Sequence, residues 1–245
     1  MASADEVQEQ KEEGNKCVKD GNYIKAVLHY TNAIKLDPQN FSLYSNRSLV
    51  LLKMQQYYYA LQDANETIRL KPDWAKGYFR KGEVEYATFH FSDALLSYKM
   101  ALDLQPDDQS IMEAIRRATQ GWQKDRKADE QIPWLGAGIG IIIGVTIVIA
   151  EHVLMQKPTL GHPILMALLT IGIAMLGYGI ARGFRYYVKC QRKALLEDPS
   201  AFLGENKEEN EEEVAAEDDT KGSGNERGHR YTKAQARQRF KKGKS

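Results

Sequence analysis

Cysteine is scarce in this 245-residue chain. Cys17 and Cys190 stand far apart, which excludes a disulfide framework and any zinc or iron–sulfur site built on cysteine alone. No charge of one sign dominates: 34 Lys and Arg against 33 Asp and Glu leave a formal net charge of +1. A chain that bound nucleic acid over its whole length would be clearly basic, so no nucleic-acid partner is expected. The opening MASADEVQEQ has no basic stretch followed by an apolar run, so no cleaved signal peptide is expected. Catalytic constellations are missing as well. No Ser–His–acid set, metal-ligand cluster or phosphate loop stands out, and the five histidines are scattered. In GAGIGIIIG (136–144) the third glycine of a dinucleotide fingerprint falls on Ile141 or Ile143, and no strand precedes it. The expectation is a non-enzyme with no cofactor and no metal.

What is present is strongly segregated. The mean hydropathy of -0.53 averages a mixed, charged segment (5–130), an almost wholly apolar one (132–181) and an almost wholly polar one (197–245). The first segment repeats itself every 34 residues. Ala26, Ala60 and Ala94 hold that spacing, as do Pro38, Pro72 and Pro106, and Leu36, Leu70 and Leu104. Ile34, Ile68 and Leu102 form another column; Gly14, Ser48 and Gly82 another; Tyr23, Tyr57 and Phe91 a sixth. The repeats read as 7–40, 41–74 and 75–108, with residues 1–108 one domain. Each carries two amphipathic helical segments: Ala26, Tyr30, Ala33 and Ile34 lie on one helical face. Proline closes each pair because it cannot continue the helical hydrogen-bond ladder. Small residues in the Gly14 and Ala26 columns let two helix backbones approach closely.

These columns resemble the tetratricopeptide repeat (TPR), a helix–turn–helix unit of 34 residues. The resemblance covers about 7–108 and implies an all-α, three-repeat helical solenoid. Residues 109–130 read as a capping helix, with Ile111, Ile115, Ala118 and Trp122 on its apolar face; an open solenoid end needs such a cap. In this fold the first helix of each pair lines a concave groove. The groove positions hold Lys11 and Asn15, Asn46, and Lys76 and Arg80, with Glu12 as the nearest acid. This set, with the strings QKEEGNK, LYSNRS, KPDW and KGYFRKG, is similar to the carboxylate clamp of chaperone-binding TPR co-chaperones. The resemblance implies that Lys11, Asn15 and Asn46 hold the terminal carboxylate of an EEVD tail, and that Lys76 and Arg80 hold its aspartate side chain. Lys53, one turn beyond Leu49, is a further candidate. The implied partners are the cytosolic heat-shock chaperones of the 70 and 90 kDa classes.

The apolar segment holds two uncharged runs, 132–150 and 160–181. Each would span about 28–33 Å as a helix, enough for a bilayer core. Two transmembrane helices in a hairpin are expected (132–155 with the connector, and 160–195 with a basic flank). Lys124, Arg126 and Lys127 precede the first run; Arg182, Arg185, Lys189, Arg192 and Lys193 follow the second; the connector carries Lys157 alone. That asymmetry puts both termini in the cytosol. The sequons at Asn40, Asn46 and Asn65 then never meet the glycosylation machinery. Gly136, Gly140 and Gly144 share a face and suit either a contact between the two spans or a homodimer. Residues 197–220 hold 11 acids against Lys207 alone, and 221–245 nine Lys or Arg against Glu226 alone; such charge blocks imply a disordered tail. The leading expectation is a membrane-anchored co-chaperone at the endoplasmic reticulum, with the mitochondrial outer membrane as the alternative. The competing expectation is a scaffold or translocon-associated subunit that binds another acidic peptide.

Overall fold

The computed structural model describes residues 4–154 and 162–199, and every element among them is helical. The charged blocks beyond 199, and Lys157 with most of the connector, lie outside the described residues. Six short helices come first: α1 (Ala4–Lys19), α2 (Tyr23–Leu36), α3 (Phe41–Lys53), α4 (Tyr57–Leu70), α5 (Ala75–Ala87) and α6 (Phe91–Leu104). Two long ones follow, α7 (Gln109–Leu154) and α8 (Pro163–Ala194).

The 34-residue columns have a packing cause. A methyl group on Gly14 would stand 2.7 Å from the buried Tyr30 ring, and one on Gly82 would stand 2.6 Å from Tyr98. In the middle repeat the same two columns hold Ser48 and Ala64, both buried, and Ser48 donates to the Ala60 carbonyl at 2.7 Å. Volume is thus exchanged within a pair of columns, as close packing requires. Ala26, Ala60 and Ala94 have no exposed surface. Arg47 of α3 grips Asp63 of α4 through two bonds of 2.7 Å. Being largely buried and bidentate, that pair fixes one relative position of the two helices.

The turns repeat too. Gly21, Gln55 and Phe89 occupy one column and all have positive φ, at 74, 61 and 64°. The next amide in each turn bonds back five residues: Asn22 to Cys17, Gln56 to Leu51 and His90 to Glu85, at 2.8–2.9 Å. Asp37, Lys71 and Gln105 then leave the helical region just before Pro38, Pro72 and Pro106, because a following proline disfavours the helical backbone.

The capping segment and the first apolar run, expected as two helices, form the single helix α7, which runs through Pro133. Proline removes one rung and crowds the carbonyl of residue 129; α8 lies alongside on both flanks of that position. The first turns cap the last repeat with Ile111, Ala114 and Ala118. Trp122, expected on that buried face, is exposed and lies under the Arg126 guanidinium; Gly121 meets Phe91 instead. Further along, a methyl on Gly140 would stand 2.7 Å from the Ile173 carbonyl, and one on Gly144 3.1 Å from Thr170. These glycines therefore join α7 to α8 within one chain, the first of the two roles expected for them. The outward faces are bare: Ile142 is 65% exposed and Met175 70%.

The end of α8 returns to the repeats. Arg185 bonds Asp125 and Asp129, Lys189 bonds Asp129, and Arg192 bonds Asp125, at 2.6–2.9 Å. Burial alone would raise the Asp125 carboxyl, but hydrogen bonds from Arg185 and Arg192 outweigh it and hold it below the usual range. Arg192 also stacks on Phe89 at 4.7 Å, Leu196 packs with Leu51, Ala60 and Val84, and Tyr58 donates to Asp198 at 3.0 Å.

A left-handed backbone at a non-glycine residue costs about 1–2 kcal/mol. Gln55→Gly should therefore raise the denaturation midpoint, by roughly 0.5–1 kcal/mol once glycine's extra unfolded-state entropy is deducted. Phe89→Gly, at the same turn position, should not gain, because it also removes the ring under Arg192. Parallel thermal melts of the full chain in detergent check both.

Candidate peptide-binding groove

Three helices, α1, α3 and α5, supply the groove-lining residues. Lys11 and Asn15 lie one turn apart on α1, Asn46 lies on α3, and Lys76 and Arg80 lie one turn apart on α5. Lys11 reaches across to α3, where its ammonium donates to Ser42 Oγ at 3.1 Å. Ser42 in turn donates to Asn40 Oδ1 at 2.8 Å.

The cations feel one another. The Lys76 ammonium is held below the usual lysine range, first by partial loss of solvent, then by the positive charges of Arg80 and Lys11. It also lies 5.6 Å over the Trp74 ring, which Phe41 abuts edge-on. Arg80 is largely covered, rests against Phe79 and pairs with Glu83. Its Nε is buried with no hydrogen-bond partner. Glu83, not Glu12, is thus the acid of the groove; Glu12 is exposed and accepts from Gln8 at 2.7 Å. Sequence spacing already held this signal, since Glu83 follows Arg80 by three residues on one helix.

Asn15 is oriented from behind. The Tyr30 hydroxyl donates to Asn15 Oδ1 at 2.8 Å, so the amide presents its Nδ2 hydrogens. Burial, and next Cys17, push the Tyr30 hydroxyl up to about 12, so it remains a donor at any physiological pH. Tyr30 reads in the sequence as a core aromatic, and its polar end was not anticipated. Asn46 is half-buried on α3. Lys53 stands apart at the exposed end of α3, its ammonium 5.6 Å over the Tyr23 ring. Among the described residues no group of three His, Cys, Asp or Glu side chains could hold a metal ion.

The family described as TPR repeat matches residues 14–55. The six short helices form TPR-like helical repeats, of which that match covers parts of the first two. About half of the chain is homologous to Hsp70-Hsp90 organising proteins. The Plasmodium falciparum protein of that name is 38% identical over 117 residues, 48% of this chain and 46% of that protein. Hsp70-Hsp90 organizing protein 3 of Arabidopsis thaliana is 40% identical over 122 residues, 50% of this chain and 22% of that protein. The chain thus spans less than half the length of these curated relatives. Solved structures similar to the TPR array include the first TPR of Spaghetti bound to the HSP90 peptide SRMEEVD (27% identity, 49% of this chain and 96% of that one, TM-score 0.47). The second TPR domain of a human protein in complex with the HSP70 peptide SGPTIEEVD is another (26% identity, 46% and 95%, TM-score 0.45).

A lysine held low in its range carries more free amine and reacts faster with acylating reagents. Lys76 in the TPR groove should therefore label faster at pH 8 than the solvated Lys99, by peptide mapping. Arg80→Gln removes one neighbouring cation and should slow Lys76 labelling. An unchanged rate would mean that Arg80 does not act on Lys76.

Proposed function

We propose that this chain is a membrane-anchored TPR adaptor, and not an enzyme, whose groove takes the C-terminal EEVD carboxylates of 70 and 90 kDa heat-shock chaperones. The carrying observation is geometric: Lys11 of α1 reaches Ser42 of α3, Lys76 lies over Trp74 near Arg80, and Tyr30 turns the Asn15 amide outward. Such a cleft fits a ligand with two adjacent carboxylates. Each charge-assisted hydrogen bond there contributes about 1.5–3 kcal/mol net. Lys11, Asn15 and Asn46 take the terminal carboxylate in this reading, and Lys76 and Arg80 the side-chain one. Homology to proteins named for organising Hsp70 and Hsp90 supports the same class of partner.

The anchoring part of the reading rests on α7 and α8. Each contains an 18-residue window of mean hydropathy above 2, only 17% and 0% buried respectively. Their bare apolar faces suit hydrocarbon better than water. Lys and Arg gather before 132 and after 181, so both ends face the cytosol, where chaperone tails are. The membrane is that of the endoplasmic reticulum, with the mitochondrial outer membrane as the second choice.

Calorimetry with an EEVD-ending peptide tests the groove. Amidating its C-terminus should weaken binding about tenfold or more, since about 1.4 kcal/mol is tenfold. Lys11→Ala should cost a similar factor without lowering the melting temperature, because the Lys11 ammonium bonds the Ser42 hydroxyl and not a group of the buried core. Equal affinity for acid and amide sinks the clamp and favours a scaffold that reads some other acidic partner.

Topology is tested in sealed microsomes. Protease should remove the TPR array, and a glycosylation acceptor in a lengthened 151–160 connector should be modified. A protected array, or sugar on Asn40 or Asn65, would overturn both the orientation and the partner.

A further inference from the structure

A second cationic site lies at the other end of the molecule, where α8 leaves its apolar stretch. Arg185, Lys189 and Arg192 are matched there by Asp125 and Asp129. Arg182 is not: among the described residues no carboxylate pairs with it. Its guanidinium donates instead to the Tyr178 hydroxyl at 3.3 Å. Arg182 and Lys189 line a cleft of about 440 Å³ between α7 and α8, whose walls include Trp134, Tyr178 and Tyr186. Glu130 lies in the same cleft, but Arg126 draws it away at 3.5 Å.

The cleft does not stop at the polar level. Trp134 and Tyr178, in edge-on contact at 5.7 Å, also line a second groove of about 610 Å³. That groove is walled by Ile141, Val145, Ile171 and Met175, and bottoms on Thr170. From Tyr178 to Thr170 it follows α8 for about 12 Å. An unpaired cation, a ring of amphipathic aromatics and an apolar groove therefore succeed one another along a single face. Aromatic rings of this kind sit at the headgroup level of a bilayer.

We infer that this face is a binding site for one anionic phospholipid, with its phosphate on Arg182 and one acyl chain in the groove between α7 and α8. This rests on the membrane reading above. Charge complementarity favours a net-anionic headgroup over a zwitterionic one, whose own ammonium offsets its phosphate: among the described residues Arg182 is the cleft's cation that no carboxylate pairs with, and its planar fork suits phosphate oxygens. The groove selects a lipid over a free phosphate, because its walls are apolar.

The full chain is reconstituted into phosphatidylcholine vesicles carrying a minor share of phosphatidylserine. Alkaline carbonate extraction comes first. Release of the chain would overturn the membrane reading and this site with it; retention leaves the site as the only question. Mild detergent then lifts the protein out, and mass spectrometry counts the lipid that stays bound. Phosphatidylserine should be enriched about fivefold over its share, the effect of one well-placed Lys or Arg. Arg182→Gln should abolish the enrichment at unchanged helicity. Lys193→Gln, at a highly exposed ammonium outside the cleft, should keep it. No enrichment in the retained wild type, or equal losses in both variants, would overturn a defined site and leave only diffuse surface charge. Loss of the bound lipid to millimolar inorganic phosphate would also overturn it, because the site would then read an ion and not a lipid.

Discussion

Two of the three helix pairs in the repeats are set where one backbone carries no side chain. Gly14 and Gly82 admit the Tyr30 and Tyr98 rings, so α1 lies against α2, and α5 against α6, at a spacing any larger residue would widen. Since α1, α3 and α5 carry the groove residues, the distance between Lys11 and Lys76 is inherited from these contacts. The same device recurs between α7 and α8, where Gly136 meets Gly177 and Ala181. The repeat array uses it in water, with the hydrophobic effect pressing the helices together. If α7 and α8 lie in hydrocarbon, as proposed above, that force is absent there and close van der Waals approach would replace it. The same glycine contact thus serves both halves.

The two halves are not independent beads. Asp125 and Asp129 sit one turn apart on α7 and collect three cations of α8, and Arg192 continues to Phe89 on the repeat array. Exposed ion pairs contribute little individually. Here Arg185 and Asp125 are only 12% and 21% exposed, and several charges form one network. Leu196 adds apolar burial on the same side. The continuous α7 and this return contact hold the groove at a fixed attitude to the apolar hairpin. If the chain is anchored as proposed, that attitude would set which way a partner in the groove faces.

Much of this was legible in the sequence because repetition multiplies weak signals. One alanine predicts nothing, whereas Ala26, Ala60 and Ala94 in register predict a close approach three times over. Groove positions followed from the same register. The sequence was mute where partners are distant: Arg185 lies 56 and 60 residues from Asp129 and Asp125. It did not show that 109–130 and the run from 132, read as a capping helix and a separate span, continue as one helix through Pro133. It also misplaced the groove's acid, because Glu12 and Glu83 look equivalent until the Arg80 side chain is seen to turn toward one of them. Tyr30 was read by its ring alone, although its hydroxyl orients Asn15.

The groove's charge balance explains what it can select. Three cations share it with one carboxylate, Glu83, which is already engaged by Arg80. The Lys76 ammonium is held low first by partial loss of solvent and then by Arg80 and Lys11, and an anion beside it would offset that second cause. A generic anion would do as well, and salt would screen the attraction over about 8–10 Å. Selectivity therefore has to come from the neutral donors. Asn15 cannot turn its carbonyl into the groove while Tyr30 holds it, and Tyr30 cannot lose its proton at physiological pH. The amide therefore offers fixed hydrogens at one point beside Lys11. In the proposed reading a C-terminal aspartate, whose terminal and side-chain carboxylates sit on one residue, would meet that point and the α5 cations together, whereas an isolated side-chain carboxylate would meet only one.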